Sequence, residues 1–169
     1  MHRPCRPVTT YDDALVSLVA DMVATMRAAD GVGLAANQIG HDVAVFVFDC
    51  PTGQPGESVA GVVCNPVLTI PGDGDRNLDV GDEGCLSLPG AFVECARLDH
   101  AQVNGFDHHG QAVMYVGDGL LARCLQHETD HLSGIVFGDK VPTKQRKRLF
   151  EEAAEVADDY PIGWPAQAS

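Results

Sequence analysis

Gln126-His127-Glu128-Thr129-Asp130-His131-Leu132-Ser133-Gly134 is the stretch on which the reading of this chain turns. It fits the H-E-x-x-H pattern, and histidines at i and i+4 of a helix project from one face about one turn apart, near enough to bind one metal ion. Glu128 then stands beside the remaining coordination position, where a carboxylate can handle a water. The host helix runs from Gly119 to about Leu132, with Asp118 as N-cap and Gly134 as stop. A plainer reading has both histidines buried and hydrogen bonded, so a third ligand is what decides.

Downstream the chain offers no histidine and only Glu151, Glu152 and Glu155, acids of a polar helix face. Cys124 shares the face of His127 and His131. However, at 1.5 Å rise per residue it lies ~10 Å along the axis from His131, too far for a short side chain. Cys85, in Glu83-Gly84-Cys85-Leu86-Ser87-Leu88-Pro89-Gly90, follows a Gly-rich loop and can approach from another element as a thiolate. That gives a His2Cys site with one position free.

Outward from this helix, Leu15, Leu18, Val19, Met22 and Met26 recur at helical spacing between Asp12 and Ala29, which predicts an amphipathic N-terminal helix. Gly31-Val32-Gly33-Leu34-Ala35-Ala36-Asn37-Gln38 follows, its small residues allowing close backbone approach. A tight turn explains those glycines but not Gln38. Strands are expected over 43–49, 59–70 with an interruption at Asn65-Pro66, 92–97, 101–106 and 112–116, the last two joined by a turn at Asp107-His108-His109-Gly110. Residues 72–84, with four glycines and four aspartates, read as a loop. A C-terminal helix capped by Thr143 is expected over about 143–158, followed by a Pro-containing tail, 159–169. The sum is an α+β fold with antiparallel β-sheets around the central H-E-x-x-H helix, in one domain spanning 1–169.

Apolar residues make up 45% of the 169 and charged ones 21%, which excludes disorder, collagen-like repeats and coiled coil. The longest wholly apolar run, Val43 to Phe48, is far short of the ~18 residues of a membrane span. Neither a signal peptide nor a transit helix fits the start, so the expected compartment is the cytoplasm. A net charge of −13 disfavours sequence-specific nucleic-acid binding, although Lys140, Lys144, Arg146, Lys147 and Arg148 form a local basic cluster.

Three segments, Gly31 to Gln38, Glu83 to Ser87 and Gln126 to Gly134, resemble in order and spacing the three signature motifs of the peptide deformylases, and the resemblance runs from about Pro4 to about Lys144. It implies one divalent metal held by Cys85, His127 and His131, natively ferrous iron, with zinc, nickel or cobalt able to replace it. It implies a hydrolase that takes the formyl group from nascent N-formylmethionyl peptides. Glu128 would serve as general base, with the Gln38 side-chain amide and the Leu86 backbone N–H as oxyanion donors. Val32 and Gly33 would bind the peptide in β-strand fashion, and Arg123 and Cys124 would border the methionine pocket through stem and backbone. Glu83 with Arg97, and Asp130, are candidates for fixing the ligands from behind. The C-terminal helix would offer its basic cluster to the ribosome near the exit tunnel.

Two departures stand out: Thr129 replaces an apolar residue, tolerable if it bonds an i−4 carbonyl, and the chain begins later than is usual for the family. The rival readings are a zinc peptidase, in which Cys85 and Gln38 would be idle, a binding module whose closed site takes a fourth ligand from Cys124 or Asp130, and an inactive or specialised paralogue.

Overall fold

The apolar run in 43–48 becomes the middle of the molecule because both of its faces are covered. In the computed structural model, which describes residues 1–72 and 74–160, strand β2 (Val45–Pro51) turns Val45 and Val47 to one cluster and Phe46 and Phe48 to another. Helix α1 (Asp13–Ala28) covers the first face with Leu15, Val19, Met22 and Met26. Helix α2 (Gly119–Leu132) covers the second with Leu125 and Leu132. A strand buried on both faces shows no alternation, so it reads as a continuous apolar run.

Around β2, the short strand β1 (Gly33–Ala35), β3 (Ser58–Thr69), β6 (His100–Phe106) and β7 (Ala112–Asp118) complete an antiparallel sheet in the order β1-β2-β3-β6-β7. The expected interruption at Asn65-Pro66 is a register shift inside one strand, and Asn65 sits there at φ 52°. Its side chain bonds both peptide groups of Val8, tying the N-terminal segment to the sheet at 2.8 and 2.9 Å.

A separate two-stranded hairpin, β4 (Leu78–Cys85) with β5 (Leu88–Leu98), lies on the far side of α2. The loop expected over 72–84 is therefore wrong from residue 78 onward. The cause is an inverted pattern: Leu78 and Val80 are exposed, while Asp79, Gly81, Glu83 and Cys85 occupy the more buried face. Two short helices close the hairpin's apolar side, α3 (Phe137–Lys140) and α4 (Thr143–Glu155), through Phe137, Val141 and Leu149 against Ala91, Val93 and Cys95. Helix α4 stops at Glu155, short of the expected 158, and a 3-10 turn over Ala157–Asp159 follows. Thr143 opens α4 without a side-chain cap, and Asp118, at the N-cap of α2, gives its carboxylate to His100 Nδ1 at 2.7 Å instead. Of the expected tail, 161–169 lies outside the described residues. Among the described residues no helix is long and apolar enough to cross a membrane.

Candidate active site

Helix α2 and the end of β4 meet at a buried cluster of three donors. Cys85 Sγ lies 3.2 Å from His131 Nε2, which lies 3.0 Å from His127 Nε2, and the three ligand atoms fall within 4.8 Å of one another. Two of these separations are a few tenths of an ångström short of those between ligands of one tetrahedral ion at about 2.1 Å for nitrogen and 2.3 Å for sulfur. Two imidazoles and a thiol are the donor set of borderline-soft metals, so the residues fit one such ion.

The side chains behind the cluster set its orientation. Glu83 Oε1 lies 2.7 Å from His127 Nδ1, which leaves Nε2 to face the cluster. Arg97 grips the same carboxylate, Nε to Oε2 at 3.0 Å and Nη2 to Oε1 at 2.6 Å. Burial alone would raise the Glu83 carboxyl, but the bonds from His127 and Arg97 hold it well below the usual range. Asp130 does not orient a histidine; it binds Arg97 Nη1 and, at 3.4 Å, Lys140. His127, despite burial, is pushed up to about 10 by Cys85 and Glu83, whereas burial and the neighbouring His127 push His131 down to about 3. A cation entering among these nitrogens competes with the proton that His127 holds.

Glu128 is buried beside the histidines. Its Oε2 finds no hydrogen-bond partner among the described residues. Burial pushes its carboxyl up to about 7, with His127 opposing. Gln38 is held by its oxygen, which accepts from the Ala35 N–H at 2.8 Å, so that Nε2 points to Ser87 Oγ at 3.1 Å and Cys85 Sγ at 3.6 Å. Leu86 follows Cys85 in the turn between β4 and β5.

A cleft of about 570 Å³ opens over these groups, bordered by Val32, Gly33, Leu86, Arg123, Cys124 and Glu128 among others. Gly33 is set by contact and not by a turn: a Cβ there would lie 2.4 Å from Glu128 Oε1 and 2.8 Å from Cys124 Sγ. The plainer alternative of a tight turn over this segment does not hold: Gly33–Ala35 is strand β1, followed by a 3-10 turn over Ala36–Ile39. The Val32 carbonyl already accepts from Asp49 N–H at 2.9 Å, while β1 has a strand partner on one side only. Cys124 Sγ points to that carbonyl at 3.5 Å and stays out of the donor cluster, as does Asp130. Neither is the fourth ligand that a closed binding site would need.

Sequence reasoning placed Arg123 at the methionine pocket through its stem but missed the role of its guanidinium. Arg123 Nη1 bonds Glu83 Oε2 and the Cys95 carbonyl, both at 2.9 Å, and Nη2 bonds the Asp79 carbonyl at 3.0 Å. Its signal was an arginine one turn before His127 on a mostly buried helix, where an unpaired charge would be costly.

An α+β fold with an H-E-x-x-H helix, a cysteine from a second element and an unpartnered buried carboxylate defines a mononuclear metallohydrolase. Comparison with known proteins narrows the class. Residues 1–147 match the polypeptide deformylase family. Peptide deformylase 1 of Streptomyces avermitilis is 48% identical over 163 residues, 96% of this chain and 74% of that one. A crystal structure of a peptide deformylase from Legionella pneumophila superposes with a TM-score of 0.79 at 35% identity, covering 93% of this chain and 89% of the other. The peptide deformylase of Ehrlichia chaffeensis in complex with actinonin gives 0.81 at 32% identity, with 91% and 90% covered. The chain belongs to the polypeptide deformylase family.

Proposed function

We propose that this chain removes the formyl group from the N-terminal formylmethionine of nascent polypeptides and releases formate, acting as one catalytic domain over 1–169 in the cytoplasm. The observation that carries the reading is the convergence in one cleft of the Cys85, His127 and His131 donors with the unpartnered Oε2 of Glu128. Those three residues would hold a single divalent ion, ferrous iron in this reading, with zinc, nickel or cobalt as replacements. When bound, the ion supplies Lewis acidity, which makes a water nucleophilic near neutral pH.

Glu128 takes the proton of the attacking water as general base. As the formyl carbon becomes tetrahedral, Gln38 Nε2 and the Leu86 N–H donate to the oxygen that gains charge. The Ala35 N–H fixes the Gln38 oxygen, which keeps Nε2 turned toward the donor cluster. Breaking of the C–N bond sends the proton from Glu128 to the leaving amine, so that formate and a free methionyl N-terminus result. The substrate backbone would extend along the open side of β1 at Val32 and Gly33, with Gly33 the better placed because the Val32 carbonyl is taken by Asp49. The methionine side chain would lie against the Arg123 stem and Cys124.

Formyl-Met-Ala-Ser and Met-Ala-Ser, offered separately to the metal-loaded protein, test the reading. It predicts formate from the first and no cleavage of the second. Cleavage of the unformylated peptide would favour the zinc peptidase instead.

The ribosome reading rests on Lys140 and the first turns of α4. Several of these bases have partners within the chain: Lys147 with Glu151, Arg148 with Glu152, Arg146 with Asp139 and Lys140 with Asp130. Exposed pairs of this kind are weak and exchange readily for phosphate contacts.

A further inference from the structure

The inner face of β4 carries Asp79, Gly81 and Glu83 at every second residue, and the row ends on Cys85. Among the described residues no backbone ladder joins β4 and β5 to the five-stranded sheet. Side-chain contacts therefore help to set where Cys85 stands relative to the histidines of α2. We infer that Arg123 is a positioning residue for the metal centre: its guanidinium seats this row of β4, and with it Cys85, against the helix that carries His127 and His131. The inference rests on the metallohydrolase reading of the site.

Three observations carry it. First, Arg123 precedes His127 by four residues on α2, so both side chains leave one helix face toward the hairpin. Second, its two Nη groups face four separate acceptors on the hairpin: Glu83 Oε2 and the Cys95 carbonyl at 2.9 Å, the Asp79 carbonyl at 3.0 Å and Asp79 Oδ2 at 3.2 Å. Gly81 lies under the guanidinium, where a Cβ would stand 3.4 Å from Nη2, in ordinary van der Waals contact. Third, an ionised carboxylate offers about four lone-pair sites, and those of Glu83 are filled in pairs. Oε1 meets Arg97 Nη2 and His127 Nδ1, while Oε2 meets Arg97 Nε and Arg123 Nη1. Arg97 binds Glu83 from the neighbouring strand of the same hairpin and reaches α2 only through Asp130. Arg123 sits on the ligand helix itself and contacts the strand that bears the sulfur directly, at both Glu83 and Asp79.

A lysine reaches one acceptor in place of the fork, and a methionine keeps the apolar stem that borders the cleft but reaches none. Partners behind metal ligands typically set about 10- to 100-fold in metal affinity. The test is chelator-driven release of cobalt from wild type, Arg123→Met and Arg123→Lys, followed by loss of the thiolate-to-metal absorption band well below each protein's unfolding midpoint. Release at least about tenfold faster from Arg123→Met, with Arg123→Lys between it and wild type, is the expected result. Should Arg123→Met fail to fold because Glu83 loses a partner, Asp79→Ala supplies the second arm, since it strips one contact from Nη2 and leaves Glu83 paired; release should again be faster than wild type. Lowered unfolding midpoints with wild-type release rates in the variants that fold would mark Arg123 as merely structural and overturn the inference. A wild-type protein that shows no thiolate band with cobalt would overturn the metal-centre reading itself, and this inference with it.

Discussion

The pairing of His127 and His131 with Glu128 was legible because helix geometry alone puts the histidines on one face, and the 3.0 Å between their Nε2 atoms is that geometry realised. Cys85 was legible by elimination along the same axis, and Cys124 indeed spends its thiol on the Val32 carbonyl. Cobalt-loaded protein should therefore lose its thiolate-to-metal band in Cys85→Ser and keep it in Cys124→Ala; the reverse pattern would contradict the helix-rise argument. For Glu128 the prediction is loss of turnover by several orders of magnitude in Glu128→Gln, with metal content unchanged. The pH dependence follows from burial. A carboxyl raised to about 7 is a base only above that value, so kcat/KM should fall as pH drops through an apparent value near 7, or lower once a bound cation favours the carboxylate. A rate flat from pH 5 to 9 would count against the general-base role. Glu83 works in the opposite sense: its lowered value contributes stability that is full above the ordinary glutamate value and declines as pH falls below it. The pairing of Glu83 with Arg97 was anticipated and is present, but the other partners of Glu83 were not read at this scale. Spacing along the chain does not say that Glu83, 44 residues from His127, is the carboxylate that holds its Nδ1.

At the scale of elements, helices α1 and α2 were visible because each buries a patterned face, and strand β2 because burial on both faces makes it a continuous apolar run. Strand β4 was not, and its reason is chemical: pattern reading assumes that apolar residues point inward, whereas here the inner row faces two guanidiniums and the donor cluster. Strand β1 is three residues long, too short for any periodicity to register, and Gly33 announces a close contact with Glu128 rather than a bend. Helix α4 was legible as an element although its caps were not. Its first turns carry the bases whose role is tested by replacing Lys144, Arg146, Lys147 and Arg148 with glutamine. If they contact ribosomal RNA, co-sedimentation with 50S subunits at low salt should weaken and its salt dependence should flatten, while deformylation of short free peptides stays within about twofold. Unchanged co-sedimentation at every salt concentration would leave the cluster a solvated face held by Glu151, Glu152 and Asp139.

For the whole molecule, the three motifs lie far apart in sequence, and the fold brings them together by wrapping a sheet and a separate hairpin about one helix. Gln38, Cys85 and His131 come from three different elements and meet within a few ångströms. Composition and charge bounded the class of protein but said nothing of this convergence; the resemblance of motifs supplied it, and the cleft above the donors gives it a physical basis. A single ion held by Cys85, His127 and His131 would equip this cleft to hydrolyse a formyl amide. The decisive measurement is an anaerobic titration of metal-free protein with ferrous or nickel ion, assayed for formate from formyl-Met-Ala-Ser at each addition. Formate release should climb in proportion to added metal and break at about one ion per chain, the stoichiometry of a mononuclear site. No formate at any ratio, or a rise that continues unbroken beyond two ions per chain, would contradict it.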